Sequence, residues 1–127
     1  MKVPYIIATV LYCAGIFWES SQSQPVKTDI HFAQDDKVAH ILLFGGLTAI
    51  VTLGIRRSGK PVKPAWQFWA PIVFATIYGI SDEFHQRFTP MRTCDIFDVM
   101  ADTTGAVLVQ VALCGFWWKL WRRPEQA

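Results

Sequence analysis

Residues 95–118 read DIFDVMADTTGAVLVQVALCGFWW, and the reading of this stretch decides the fold. Ile96 to Trp118 is a predominantly apolar run of 23 residues, enough for a helix to cross a bilayer, which takes about 20. Two carboxylates, Asp98 and Asp102, lie within it. An ionised Asp near the middle of a membrane helix costs ~2.5–3.5 kcal/mol, so the pair has to face cations or a polar cavity. With Asp95 just ahead, the spacing is i, i+3, i+7, which puts all three carboxylates on one helical face. Asp102 then lies about 9 Å below the end of the span.

Three further apolar runs precede this one. Val3–Trp18 has no charge, Val38–Ile55 has His40 as its single ionisable group, and Trp66–Ile80 is extended by Ala65 and Ser81 and interrupted by Pro71. None of the three is polar along one face, as a soluble helix would be. The first is expected to be a retained span rather than a cleaved leader, because Trp18-Glu19 stands where small residues would mark a cleavage site. The reading is an all-α integral membrane four-helix bundle forming one domain over residues 1–127, with spans near 3–18, 38–55, 65–81 and 96–118.

Composition agrees. Of 127 residues, 52% are hydrophobic and 17% charged, against about 25% charged in a typical soluble domain. That balance excludes a disordered chain, and three cysteines (Cys13, Cys94, Cys114) make no disulfide framework. A net charge of +2 argues against nucleic acid as a partner; the expected surroundings are a lipid bilayer. Charge placement predicts the orientation. Lys2, Arg56, Arg57, Lys60, Lys63, Lys119, Arg122 and Arg123 fall on one side of the four spans with a single acid, Glu125. Basic residues mark the cytoplasmic side, so both termini are expected there, in a multi-pass protein of a bacterial cell (inner) membrane. Phe116, Trp117, Trp118 and Trp121 with Lys119, Arg122 and Arg123 read as an interfacial anchor.

Groups capable of chemistry collect at the other side. Asp36, Lys37 and His40 open the second span; Asp82, Glu83, His85, Gln86 and Arg87 follow the third; Arg92 and Asp95 precede the fourth. Asp36 and His40 are one turn apart, so the carboxylate can orient the imidazole. Candidate catalytic residues are His40, Glu83, Asp95, Asp98 and Asp102, and candidate substrate-binding residues are Lys37, Gln86 and Arg92. Arg87, Arg92 and Lys37 are the candidate cations for the buried carboxylates, and Arg92 is expected to act with Asp98 as one electrostatic unit. Carboxylates with a histidine can bind a divalent metal, but no tight ligand signature such as HExxH singles out the residues, so the cofactor is left unknown. The alternative is an ion-pair cluster that fixes helix packing.

Several of these residues also carry a resemblance. The segments SSQSQP (20–25), DKVAHILLFGGLTAI (36–50) and SDEFHQRFTPMRTCDIFDVMADTTGA (81–106) resemble the VanZ-like family, small bacterial membrane proteins named for one associated with teicoplanin resistance. The resemblance implies that Asp36-Lys37-x-x-His40, Glu83-x-x-Gln86 and Arg92-x-x-Asp95-x-x-Asp98 belong together. It brings no reaction with it. One position departs from the pattern: the family commonly has Asn where this chain has Asp102. Two functions are expected to compete. One is an enzyme at the external leaflet acting on a lipid-linked or cell-envelope substrate. The other is a non-catalytic membrane module that binds an envelope component or a glycopeptide antibiotic, or assists a membrane partner. No GxSxG or P-loop is present, which leaves metal-assisted or acid–base chemistry for the first.

Overall fold

A computed structural model describes residues 1–23 and 33–121, with side chains over 1–23 and 37–116. Four helices follow one another: α1 (Val3–Ser20), α2 (Ala33–Arg56), α3 (Pro64–Gln86) and α4 (Ile96–Trp121). Proline starts two of them, at Pro4 and Pro64, where its missing N–H costs no helical bond. All four overrun the apolar runs. α1 continues to Ser20 and α3 to Gln86, so the polar residues that end both runs are still helical. A polar residue at a membrane boundary ends the hydropathy signal without ending the helix.

α1 (18 residues), Lys37–Arg56 of α2 (20) and Ile96–Phe116 of α4 (21) are each long and apolar enough to cross a membrane. α3 has 23 residues, about 34 Å of helix, and carries its charged residues, Asp82 and Glu83, in its last two turns. The helices alternate in direction. Arg57 of the α2–α3 turn reaches the Tyr5 hydroxyl at the start of α1, while Ser20 at the end of α1 meets Asp82 near the end of α3. α2, α3 and α4 pack on one another, and α1 lies outside them against α2 and α3.

The partition of side chains is that of a membrane protein. Among the described residues, eleven polar or charged side chains are buried against eight hydrophobic ones. Val10, Leu11, Trp66, Ile77 and Leu108 face outward. In water that surface would aggregate; in lipid it is the solvated one, and polar groups must turn inward.

The most extensive contact, between α2 and α4, depends on glycine. A Cβ at Gly105 would run into the Ile41 carbonyl, and one at Gly45 would stand 2.9 Å from Val109 Cγ2. Small residues here let two helix backbones touch.

α3 continues through Pro71, which has no N–H to give the Gln67 carbonyl four residues earlier. Gln110 of α4 supplies the missing donor: its Nε2 donates to Gln67 O at 2.9 Å, and its Oε1 accepts from the Thr52 hydroxyl of α2 at 2.6 Å. One buried amide thus repairs α3 and ties three helices. Gln110→Leu should destabilise the protein by about 1–3 kcal/mol, the cost of an orphaned buried polar group. In a Pro71→Ala background the chain can donate to Gln67 itself, and the same change should cost less. Unfolding in mixed micelles of the four cycle members measures this; equal cost in both backgrounds would sever Gln110 from the proline.

Candidate functional site at the acidic end

The end at which α1 and α3 finish and α2 and α4 begin gathers the acids. Asp95 caps α4, accepting the Phe97 N–H at 2.9 Å. That bond, and then Lys37, hold its carboxyl below the usual carboxylate range. Its own backbone N–H donates to Glu83 Oε2 at 2.9 Å, which locks the start of α4 to the end of α3.

One turn into α4, Asp98 Oδ1 accepts from Lys37 Nζ at 2.8 Å; the same ammonium lies 3.3 Å from Asp95 Oδ2. Asp98 is buried, whereas the Lys37 side chain is 40% exposed, so Lys37 stands at the mouth. A turn deeper, Asp102 Oδ1 lies 2.8 Å from His40 Nδ1, both groups buried. Asp102 fits between α3 and α4 because Gly79 has no side chain; a Cβ there would lie 2.5 Å from Asp102 Oδ2.

His40, Glu83 and Asp98 each offer one ligand-type atom, and the three atoms lie within 4.8 Å of one another. They come from α2, α3 and α4 respectively. Two carboxylate oxygens here, Glu83 Oε1 and Asp102 Oδ2, are buried without a hydrogen-bond partner among the described residues. Lys37, His40, Glu83, Asp95, Asp98 and Asp102 therefore converge.

Two candidates sit apart from this convergence in their bonding. Gln86 donates to Asp82 Oδ2 at 3.0 Å, and Asp82 Oδ1 accepts from Ser20 at 2.6 Å, so Gln86 belongs to a buried link between α1 and α3. Arg92 does not pair with Asp98, contrary to expectation. Its Nη2 reaches Glu19 Oε1 and Glu19 O, each at 3.1 Å, and its Nε reaches Gln22 O at 3.2 Å. Arg92 latches the α3–α4 loop to the end of α1, and Lys37 takes the place foreseen for it. The side chain of Asp36, and those of the anchor beyond Phe116, lie outside the described residues.

A family model described as VanZ/LLP1 matches residues 5–118. The chain belongs to the VanZ/LLP1 family. No curated protein and no solved structure matches it.

Within this VanZ/LLP1 chain, sequence reasoning passed over Ser20, Thr52 and Gln110, all buried and all bonded between helices. Gln110 had a signal, a strong polar group deep in an apolar run, which membrane helices keep for interhelical bonding. The His85 ring lies tilted against Phe17 with ring centroids 4.4 Å apart, and its Nε2 is 3.0 Å from the Ser21 hydroxyl. Cys94 is an exposed free thiol; Cys13 and Cys114 are half-buried ones.

The corrected pairing predicts two contrasting mutant cycles. Lys37→Ala and Asp98→Ala should be strongly non-additive in stability, whereas Arg92→Ala and Asp98→Ala should add. Arg92→Ala should instead couple to Glu19→Ala. Coupling between Arg92 and Asp98 would contradict the geometry.

Proposed function

We propose that this VanZ/LLP1 protein acts on the head group of an anionic lipid-linked or cell-envelope substrate, from the external leaflet of a bacterial cell membrane, with both termini cytoplasmic. The observation that carries the reading is the His40–Asp102 pair, buried beside Glu83 and Asp98 with two carboxylate oxygens left unanswered. An ion-pair cluster serving only to fix helix packing gains by being closed, since each buried unpaired polar atom costs free energy. This one leaves two acid oxygens without partners among the described residues.

The roles follow from position. Lys37, half-exposed above Asp98 and Asp95, is the cation an arriving phosphate or carboxylate would meet first. His40, oriented through Nδ1 by Asp102, is suited to take up or release a proton. Asp95 holds the end of α4, and with it Asp98, in register with Glu83. Gln86 and Arg92 support the site by fixing α1 and the α3–α4 loop around it.

Envelope lipids profiled by mass spectrometry in cells lacking the protein, and in cells complemented with it, should differ in one class of anionic or lipid-linked species. His40→Gln, Asp98→Asn and Glu83→Gln should insert normally yet fail to restore the profile. Full restoration by all three would make the cluster structural. Restoration by none, with the purified protein binding the affected lipid but leaving it unchanged, would make the protein a binding module instead of an enzyme.

Orientation has its own measurement. In a background without Cys13, Cys94 and Cys114, Arg87→Cys should react with an impermeant thiol reagent on intact cells, and Lys60→Cys should react only after lysis. The reverse pattern would put the site on the cytoplasmic face.

A further inference from the structure

We propose that His40, Glu83 and Asp98 form a site for one divalent transition-metal ion, with Asp102 as the residue that positions the imidazole. The inference deepens the reading of this cluster given above, and rests on it for the site's location but not for its chemistry. Three donors from three different helices already stand within 4.8 Å of one another. Ligands at ~2.0–2.2 Å from a shared ion are roughly 3–4 Å apart, so small movements of side-chain torsions close the site.

A second, independent feature points to a cation. Glu83 is 2% exposed, and its Oε2 takes the Asp95 N–H, but its Oε1 is buried with no partner among the described residues. A carboxylate oxygen shut away from water is stabilised by a cation or by its own proton, and His40 and Asp98 beside it supply the further donors that a cation needs. The balance of charge agrees: Glu83, Asp95, Asp98 and Asp102 face Lys37 and His40, four acids against one lysine and one imidazole.

Asp102 supplies what a metal-bound histidine ordinarily has. A carboxylate on one ring nitrogen fixes the tautomer and turns the other nitrogen to the ion. The pair His40 Nδ1–Asp102 Oδ1 at 2.8 Å has that form, which assigns Nε2 as the ligand atom. An imidazole among the donors favours Zn²⁺ or Mn²⁺ over Ca²⁺ or Mg²⁺, which prefer all-oxygen shells. Three protein ligands leave a coordination position for water or a substrate oxygen. Lys37, bonded to Asp98 Oδ1, competes with the ion for the same carboxylate.

The test uses the full chain in nanodiscs, stripped with a chelator, tag removed and with Cys94→Ser to eliminate the exposed thiol. Titration with Zn²⁺ and with Mn²⁺ by calorimetry, with metal analysis after desalting, should show one ion per chain. His40→Gln, Glu83→Gln and Asp98→Asn should each abolish retention. Asp102→Asn should keep the stoichiometry and weaken affinity about 10–100-fold. Lys37→Met should tighten binding, and Glu19→Gln should leave it unchanged. No retained ion in the folded parent, or retention indifferent to all three ligand changes, overturns the site. Should the ion fail while the envelope-lipid difference persists, the site works by acid–base chemistry alone. Should the ion bind while the lipid profile is indifferent to the protein, the substrate reading falls and the metal site stands.

Discussion

The structure depends on the place where α2 and α4 touch backbone to backbone. Gly105 sits against the Ile41 carbonyl, and Gly45 lies opposite, beside Val109. His40 precedes Ile41 by one residue and Asp102 precedes Gly105 by three, so this contact also sets the separation of the buried pair. Any side chain at 105 would push the helices apart, and the 2.8 Å contact between imidazole and carboxylate would open. Packing and site are here a single constraint, in which the absence of two side chains places two others.

A bilayer makes the same demand at both ends of the bundle. Each polar group that enters hydrocarbon needs a partner, because no water is there to supply one. At the middle and lower levels the demand is met through Gln110, which answers both the carbonyl freed by Pro71 and the Thr52 hydroxyl, and through Thr48, which bonds the Phe44 carbonyl of its own helix. At the acidic end it is met for Asp82, Asp95 and Asp98, and left unmet at Glu83 Oε1 and Asp102 Oδ2. Both of these carboxylate oxygens, without partners among the described residues, lie at the level where the acids from three helices converge.

Much of this was legible in the residues. Length and hydropathy identified the helices, and the i, i+3, i+7 spacing of Asp95, Asp98 and Asp102 placed them on one face. The resemblance grouped the polar motifs of three segments before their distances were known. Partner choice was not legible. Lys37 and Arg92 are equally charged and both near an end of the bundle, and sequence separation favoured Arg92, six residues from Asp98. The helical geometry decides otherwise: Lys37 faces α4 across the α2–α4 contact, while the loop carries Arg92 toward α1. Ser20 was missed for a related reason. Serine next to a run of polar residues looks like loop, and only the position of Asp82 on a neighbouring helix makes it a buried donor.

Position 102 shows how finely the site is balanced. The resemblance implies Asn there in place of Asp, and an Asn carbonyl could accept the His40 Nδ1–H much as Asp102 Oδ1 does. The amide would then fill the place of Oδ2, against Gly79, and one negative charge would leave a region that already has more acids than cations. With Asp, the imidazole faces a carboxyl group, the partner that a metal-bound histidine ordinarily has in the site proposed above. With Asn, only the orientation of the ring survives. In the proposed metal site the choice of Asp strengthens His40 as a ligand, and it leaves Oδ2 without a hydrogen-bond partner among the described residues.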